Sequence, residues 1–382
     1  MKYYIKIGLE HFAFGLIIPI SIIWKLSNGL SLAEAAATEA LILLVTSIAE
    51  VPTGIFADKF GNKKSLVWGG LLRTIAVALM AYGGGLAMFA IAAVVSGVAW
   101  AFTSGADQAY IHDDLLKDKG KYRRVFANAT MVDEATTIVG MLFSGLMLAV
   151  VSGSDLRLLF MVAGAFLALS VAYMFIFLPD GHKKAAAHHE SALIGFKDKL
   201  HDSKELLVMF LAFALIYESG RVLWQPQLEN LGLELSKFGI MFALFKLASL
   251  AGSFAARGHR FKLRWVILSF LVMSISLILF GVDVFAVSAA ALTVFLFTEN
   301  YFRVYMSDFL NRVITKDRAT FLSVSSLVTN VTGAALVFAA GYFGENSILL
   351  ALVILVALKT PGFMYVLRKH NAVFTRYRQE LQ

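Results

Sequence analysis

Cysteine is absent from the 382-residue chain, which excludes disulfides, thiolate metal sites and any thiol nucleophile. Charge is scarce as well: Asp, Glu, Lys and Arg together make up 16% of residues, against 59% hydrophobic. A soluble protein of this size needs more charge than that to cover its surface. No Gly-x-x-x-x-Gly-Lys loop occurs, so ATP-driven work has no support. The sequence also lacks a metal-ligand cluster and a sizeable polar domain for catalysis or signalling. A membrane enzyme or receptor is therefore the weaker alternative.

What is present is apolar sequence in blocks of roughly twenty residues, the length that crosses a bilayer as a helix at about 1.5 Å per residue. A β-barrel would instead show alternating segments of about ten residues. The fold class expected is an all-α polytopic membrane protein with twelve spans. The first six fall near 5–27, 36–57, 65–83, 87–113, 123–150 and 156–178, and the second six near 205–228, 236–257, 263–282, 284–310, 318–342 and 347–368. The N-terminal apolar run is too long for a signal peptide and is followed at once by another span, so it reads as a retained first helix. Residues 1–178 and 205–382 form the two halves, joined by the polar segment 179–204 as a cytoplasmic linker.

The net charge of +8 does not point to nucleic acid, because the basic residues sit in short turns on one side. Lys59, Lys63, Lys64, Lys117, Lys119, Lys121, Arg123, Arg124, Arg257, Arg260, Lys262, Arg312, Lys316 and Arg318 share that side with the linker lysines. The opposite turns hold little beyond Lys25, Arg157, Arg221 and Lys237. The positive-inside rule then puts both termini and the linker in the cytoplasm.

The halves carry an internal repeat. "FTSGADQAYIHDDLLKDKGKYRRVF" from Phe102 aligns without gaps to "FTENYFRVYMSDFLNRVITKDRATF" from Phe297. Thr103, Tyr110, Asp113 and Arg123 recur as Thr298, Tyr305, Asp308 and Arg318. Two related six-helix halves imply a binding site at the repeat interface near the bilayer midplane, with one half rocking on the other.

Between the second and third spans lies "VPTGIFADKFGNKKSL". Gly54 allows close helix approach, and Gly61 allows a backbone conformation that a Cβ hinders. Asp58 lies at a helix end, where it can meet the positive N-terminus of another helix. The pattern Gly54-x-x-x-Asp58-Lys59-x-Gly61-x-Lys63-Lys64 resembles the signature loop of the major facilitator superfamily. "EVPTGIFADKFG" and "SGADQAYIHDDL" are also similar to a group of bacterial members. This resemblance implies a secondary transporter that works by alternating access, without a cofactor, as a monomer in the bacterial inner membrane. It further implies that Asp58 latches the cytoplasmic side against the eleventh helix near Arg318, and that the lysines pair with Asp113. One departure is Asn62, where the family commonly carries Arg; Asn cannot form a charged bidentate pair. A relay to Asp113 then runs through Lys63 or Lys59.

Ionisable residues inside a span are costly and mark function. Counting about 1.5 Å per residue from the cytoplasmic ends puts Glu50, Asp133, Glu134, Lys246 and Glu299 roughly 12–16 Å deep. Asp107 and Arg303 come out about 9 Å deep, and Glu218 and Arg221 fall in the outer half. The resemblance places Asp107, Glu218, Arg221, Glu299 and Arg303 on cavity-lining helices. Arg303 is one turn from Glu299 and Arg221 three residues from Glu218, so each pair can neutralise itself on one helix face. Lys246 is expected opposite Asp133 or Glu134. His11 and His112 are further proton candidates, though a lone His near a helix end is more often structural.

The functional expectation is a proton-coupled transporter of a small organic molecule, with export somewhat favoured. Carboxylates that move between wet and dry surroundings change their pKa, which is what coupling needs. Aromatic residues such as Phe12, Phe14, Trp24, Tyr217, Trp224, Phe295 and Tyr301 suit an amphiphilic substrate. The family's drug exporters usually carry a Gly-Pro pair in the fifth helix, and the fifth span here has Gly140 and Gly145 without proline. The rival is an importer or facilitator of an anionic nutrient bound by Arg221 or Arg303.

Overall fold

The computed structural model describes residues 2–115, 122–150, 155–180, 220–256, 263–313, 318–361 and 364. All regular structure among them is helical. The first half contributes α1 (Lys2–Ser27), α2 (Leu32–Phe60), α3 (Asn62–Tyr82), α4 (Leu86–Thr103), α5 (Tyr122–Val150) and α6 (Leu156–Phe177). The second contributes α7 (Trp224–Asn230), α8 (Leu235–Ala255), α9 (Leu263–Phe280), α10 (Phe285–Val313), α11 (Arg318–Gly344) and α12 (Ile348–Pro361). Among the described residues, nine helices are long and apolar enough to cross a membrane, and Arg264–Phe280 and Ile348–Pro361 are shorter apolar helices. The seventh expected span, near 205–228, lies mostly outside the described residues.

The chain divides into two compact units. One comprises Met1–His188 with Leu233–Ala243, the other His189–Gly232 with Leu244–Gln382. In the first unit, α1 packs on α5 and α6, α2 on α4, and α3 on both α4 and α6. In the second, α9 packs along α10.

Local sequence accounts for the helix ends and breaks. Pro19 interrupts α1 with a tight turn over Ile18–Ile20, since proline removes a backbone donor. Ser31 caps α2 through a capping box with Glu34, which satisfies two orphan donors at once. Gly61 closes α2 with φ +97°, the left-handed region where a Cβ is penalised, so the expected role of that glycine holds. At Gly54 the expected close approach is not seen among the described residues. A Cβ there would meet nothing within 4 Å among the described residues.

A close approach joins Gly15 of α1 to Gly140 of α5. A Cβ on Gly15 would sit 2.3 Å from the Thr137 carbonyl oxygen, and one on Gly140 2.4 Å from that of Phe12. Small residues let backbones approach where dispersion, not the hydrophobic effect, drives helix association.

Among the described residues the two repeated segments differ at Gly105. α4 stops at Thr103; Gly105 turns out with φ +73°, and the chain resumes as Ala106–Ala109 and a wider π turn, Tyr110–Leu115. The counterpart of Gly105 at the repeat offset is Asn300, and α10 runs through it without a break.

Filling the α1–α5 crossing should therefore be costly. Gly140→Leu is expected to destabilise by about 1–3 kcal/mol, the usual range for overpacking, whereas Gly54→Ala is neutral. Thermal unfolding of the two purified variants in detergent checks the contrast, and equal midpoints would contradict the crossing.

Candidate functional site

The first unit holds a cluster of charges at the break in α4. Lys6 of α1 is 2% exposed. Its ammonium lies 2.7 Å from Asp107 Oδ1 and 2.9 Å from Glu10 Oε2, one turn further along α1. The Tyr3 hydroxyl donates to the same Asp107 oxygen at 2.6 Å. Arg73, buried in the middle of α3, has its Nη1 3.8 Å from Glu10 Oε2 and donates through Nη2 to Thr103 Oγ1 at 2.9 Å. Its guanidinium also lies 5.1 Å from the Phe14 ring and 4.5 Å from the Trp100 ring. Ser170 of α6 donates to Glu10 at 3.2 Å.

Two cations thus face two carboxylates, drawn from α1, α3 and the segment after α4. Formal charge cancels, which is the condition for keeping such groups out of water. The Asp107 side chain is the accessible member, 38% exposed, while those of Lys6, Glu10 and Arg73 are each 5% or less. Aromatic faces beside Arg73 add cation–π attraction, which strengthens on desolvation.

The break in α4 builds this site. Turning out at Gly105 re-aims the chain so that Asp107 reaches α1. The carbonyls around the break find hydroxyl donors on neighbouring helices: Thr53 of α2 shares its hydroxyl between Ala49 of its own helix at 2.8 Å and Ala101 at 3.0 Å, and Ser65 of α3 donates to Phe102 at 2.7 Å. Ser104 at the break donates to Glu50 Oε1 at 3.4 Å. Glu50, half-buried, therefore lies beside the break rather than within the charge cluster.

A second pairing lies between α1 and α5. His11 Nδ1 is 2.7 Å from Asp133 Oδ1, and Thr137 Oγ1 donates to that oxygen at 3.3 Å. Asp133 thus has two partners within its own unit. The His11 ring meets Phe14 edge-on at 5.6 Å.

In the second unit, Glu299 and Arg303 lie 3.9 Å apart on α10. Asn300 bridges them, donating to Glu299 at 2.7 Å and accepting from Arg303. Glu299 is buried, whereas the Arg303 side chain is 68% exposed. Arg221 opens a short turn before α7 and is exposed, and Lys246 on α8 is half-buried. Glu218 lies outside the described residues, as do the side chains of Asp113, Arg123, Asp308 and Arg318.

The segment from Gly54 to Lys64 makes these contacts within its unit. Asn62, the unusual residue, donates to Asp114 at 3.0 Å. Lys63 pairs with Asp180 at 3.0 Å and reaches the Phe175 carbonyl. Lys59 lies 5.3 Å from the Phe60 ring centre, Lys64 is exposed, and Asp58 is half-buried. The π turn that carries Asp114 is wider than an α-turn and sets the register at which that acid meets α3.

Several expected aromatics are packing groups. Phe12 sits among Phe143 and Phe166, and Trp24 packs on Phe160 while donating to the Met80 carbonyl at 2.7 Å.

With this geometry in place, comparison with known proteins is decisive. The sequence profile of the Major Facilitator Superfamily matches residues 7–337. The chain belongs to the Major Facilitator Superfamily. This is a family of transporters, not of enzymes. Among curated proteins, the uncharacterized MFS-type transporter YxaM of Bacillus subtilis (strain 168) is 22% identical over 247 residues. That alignment spans 62% of this chain and 60% of the relative's length. Among solved structures, a point mutant of the nucleoside transporter NupG matches with a TM-score of 0.77 at 15% identity, covering 96% of this chain and 99% of that one. A point mutant of the peptide transporter POT in complex with alafosfalin matches with a TM-score of 0.76 at 13% identity, covering 97% and 94%. Likeness at this identity fixes the MFS fold.

Sequence reasoning singled out Asp107 but missed Lys6, Glu10, Arg73 and Tyr3. Arg73 stands in the apolar run "GGLLRTIAV", and the rule that intramembrane charges are costly was sufficient to flag it. Lys6 and Glu10, four apart on α1, could have been found as a same-face pair.

Removing one member should leave the others exposed to the full penalty. Lys6→Met is expected to cost about 3–5 kcal/mol by stranding the buried Glu10 carboxylate and the part-exposed carboxylate of Asp107. Combining it with Asp107→Asn should recover a substantial part. Unfolding midpoints of the single and double variants test this, and strict additivity would rule out the coupling.

Proposed function

We propose that this chain is a secondary active transporter that moves a small organic molecule across the membrane by alternating access, coupled to protons and running outward. The observation that carries the reading is the position of Asp107. It is the accessible carboxylate of an otherwise sealed, charge-balanced cluster. Protonating it removes one negative charge from the pair that holds Lys6, leaving that ammonium to Glu10. The bond between α1 and the segment after α4 then weakens, so a proton arriving at one carboxylate becomes a change in helix contact. His11 with Asp133 offers a second proton-accepting pair on α1 and α5.

In this reading the two halves, residues 1–178 and 205–382, rock about the linker 179–204. The proton and substrate path uses Glu50, Asp107, Asp133, Glu134, Glu218, Arg221, Lys246, Glu299 and Arg303, with Lys246 exchanging partners with Asp133 or Glu134. The cytoplasmic latch comprises Gly54, Asp58, Lys59, Gly61, Lys63, Lys64, Asp113, Arg123, Asp308 and Arg318. The chain works as a monomer in the bacterial inner membrane with both termini in the cytoplasm, consistent with the basic turns. Structurally similar transporters carry nucleosides and peptides in their names, which supports a small polar or amphiphilic cargo.

A second reading, an importer or facilitator of an anionic nutrient, is favoured by one observation: the Arg303 guanidinium is largely exposed. A guanidinium is the side chain best shaped to hold a carboxylate or phosphate through two bonds.

Proteoliposomes with an internal pH dye separate these readings. A panel of nucleosides, short peptides, amphiphilic cations and organic anions is added under an imposed pH gradient of either sign. At least one compound is expected to move protons, and Asp107→Asn should abolish that signal while preserving substrate exchange at equal pH. Full proton movement in Asp107→Asn would defeat the coupling role. Arg303→Gln raising KM about ten-fold or more for an anion alone would favour the second reading.

A further inference from the structure

A cavity of about 560 Å³ opens in the first unit, beside the charge cluster, where the ends of four helical segments meet. Its wall comprises Lys2, Tyr3 and Tyr4 from the first turn of α1, and Leu115 from the end of the π turn. Val125 of α5 and the run Ile176, Phe177, Leu178 and Pro179 at the end of α6 complete it. Most of this wall is apolar, and the cation on it is the ammonium of Lys2. Arg124, exposed, precedes Val125 on α5. On the outer side, Phe175, Ile176 and Phe177 are all exposed, so the cavity adjoins a greasy surface of the kind that faces lipid.

An apolar pocket with a cation at its rim, beside exposed aromatic and aliphatic side chains, is chemically matched to an anionic amphiphile. In a membrane protein the abundant amphiphile of that kind is a phospholipid. Basic pockets between helix ends on the cytoplasmic side suit phosphate headgroups, and each nearby Lys or Arg adds about 1 kcal/mol. We propose that this cavity binds an anionic phospholipid, with an acyl chain against Leu115, Val125, Ile176 and Leu178 and the phosphate at Lys2.

The cavity also has a direct connection to the charge cluster. Tyr3 forms part of its wall, and the Tyr3 hydroxyl is the donor that meets Asp107 at 2.6 Å. The Tyr3 ring lies 5.8 Å from that of Tyr110, whose hydroxyl donates to the carbonyl of Pro179, another wall residue, at 2.9 Å. A bound lipid therefore braces the side chain that orients Asp107. Lipid retention does not depend on the chain being a proton-coupled transporter, so this inference can fail or stand on its own.

The test uses the full chain, purified in mild detergent and exchanged with phosphatidylglycerol or phosphatidylcholine of matched acyl chains. Native mass spectrometry reads bound lipid, and thermal unfolding reads the accompanying stabilisation. The expected result is retention of phosphatidylglycerol over phosphatidylcholine, with Lys2→Gln cutting that preference about five-fold. Val125→Trp, which fills the cavity, should lower retention of both lipids. Because that variant could misfold, the exposed Lys2→Gln change keeps the inference falsifiable. Equal retention of the two lipids, an unchanged preference in Lys2→Gln, or full stabilisation by inorganic phosphate without lipid would each overturn it.

Discussion

The ammonium of Lys6, held between Glu10 and Asp107 with almost no access to solvent, sets the terms for the first half of the molecule. An isolated lysine at such a place would be expelled or neutralised, because the cost of dehydrating it exceeds what packing alone returns. Its two carboxylates come from its own helix and from beyond the break in α4. Arg73 and Thr103 tie α3 to the same set. The helices are therefore registered to one another by electrostatics as well as by close contacts such as Gly15 on Gly140. Sliding any of them by a turn would strand charges in a dry interior.

Much of this architecture was legible in the sequence, and the parts that were not have physical reasons. The spans were readable because apolar blocks of bilayer length leave little ambiguity: the second expected helix, near 36–57, is observed as Leu32–Phe60. Gly61 was readable because a turn between two charged helix ends demands an unusual backbone. Pairings were harder. Asp114 accepts from Asn62 of α3, a contact set by the π turn, which no residue in that stretch announces. Asp133 pairs with His11 on α1, a contact that depends on helix rotation, which periodicity leaves loose in a segment that is apolar all round. Arg73 is different: its signal was plainly present in an apolar span.

The two segments that match at the offset of 195 residues use their polar side chains differently. In the first half the chain breaks at Gly105, which frees Asp107 to reach another helix. In the second, Asn300 occupies the matching place inside a continuous helix and bridges Glu299 to Arg303 on that same helix. The contacts of Asp107 with Lys6 and Tyr3 run between helices, whereas those that join Glu299, Asn300 and Arg303 run within one. The first half thus couples its members to one another, while the second presents a guanidinium to its surroundings.

The hydroxyls of Thr53 and Ser65, which occupy the carbonyls of Ala101 and Phe102, have a mechanical consequence. A bare kink would act as a free joint, letting the lower limb swing independently. Here the joint is pinned on two sides, so any bend in the fourth helix must drag the second and third along or give up both bonds together. Those three rods consequently behave as one lever, with the glycine as a fixed elbow rather than a loose pivot.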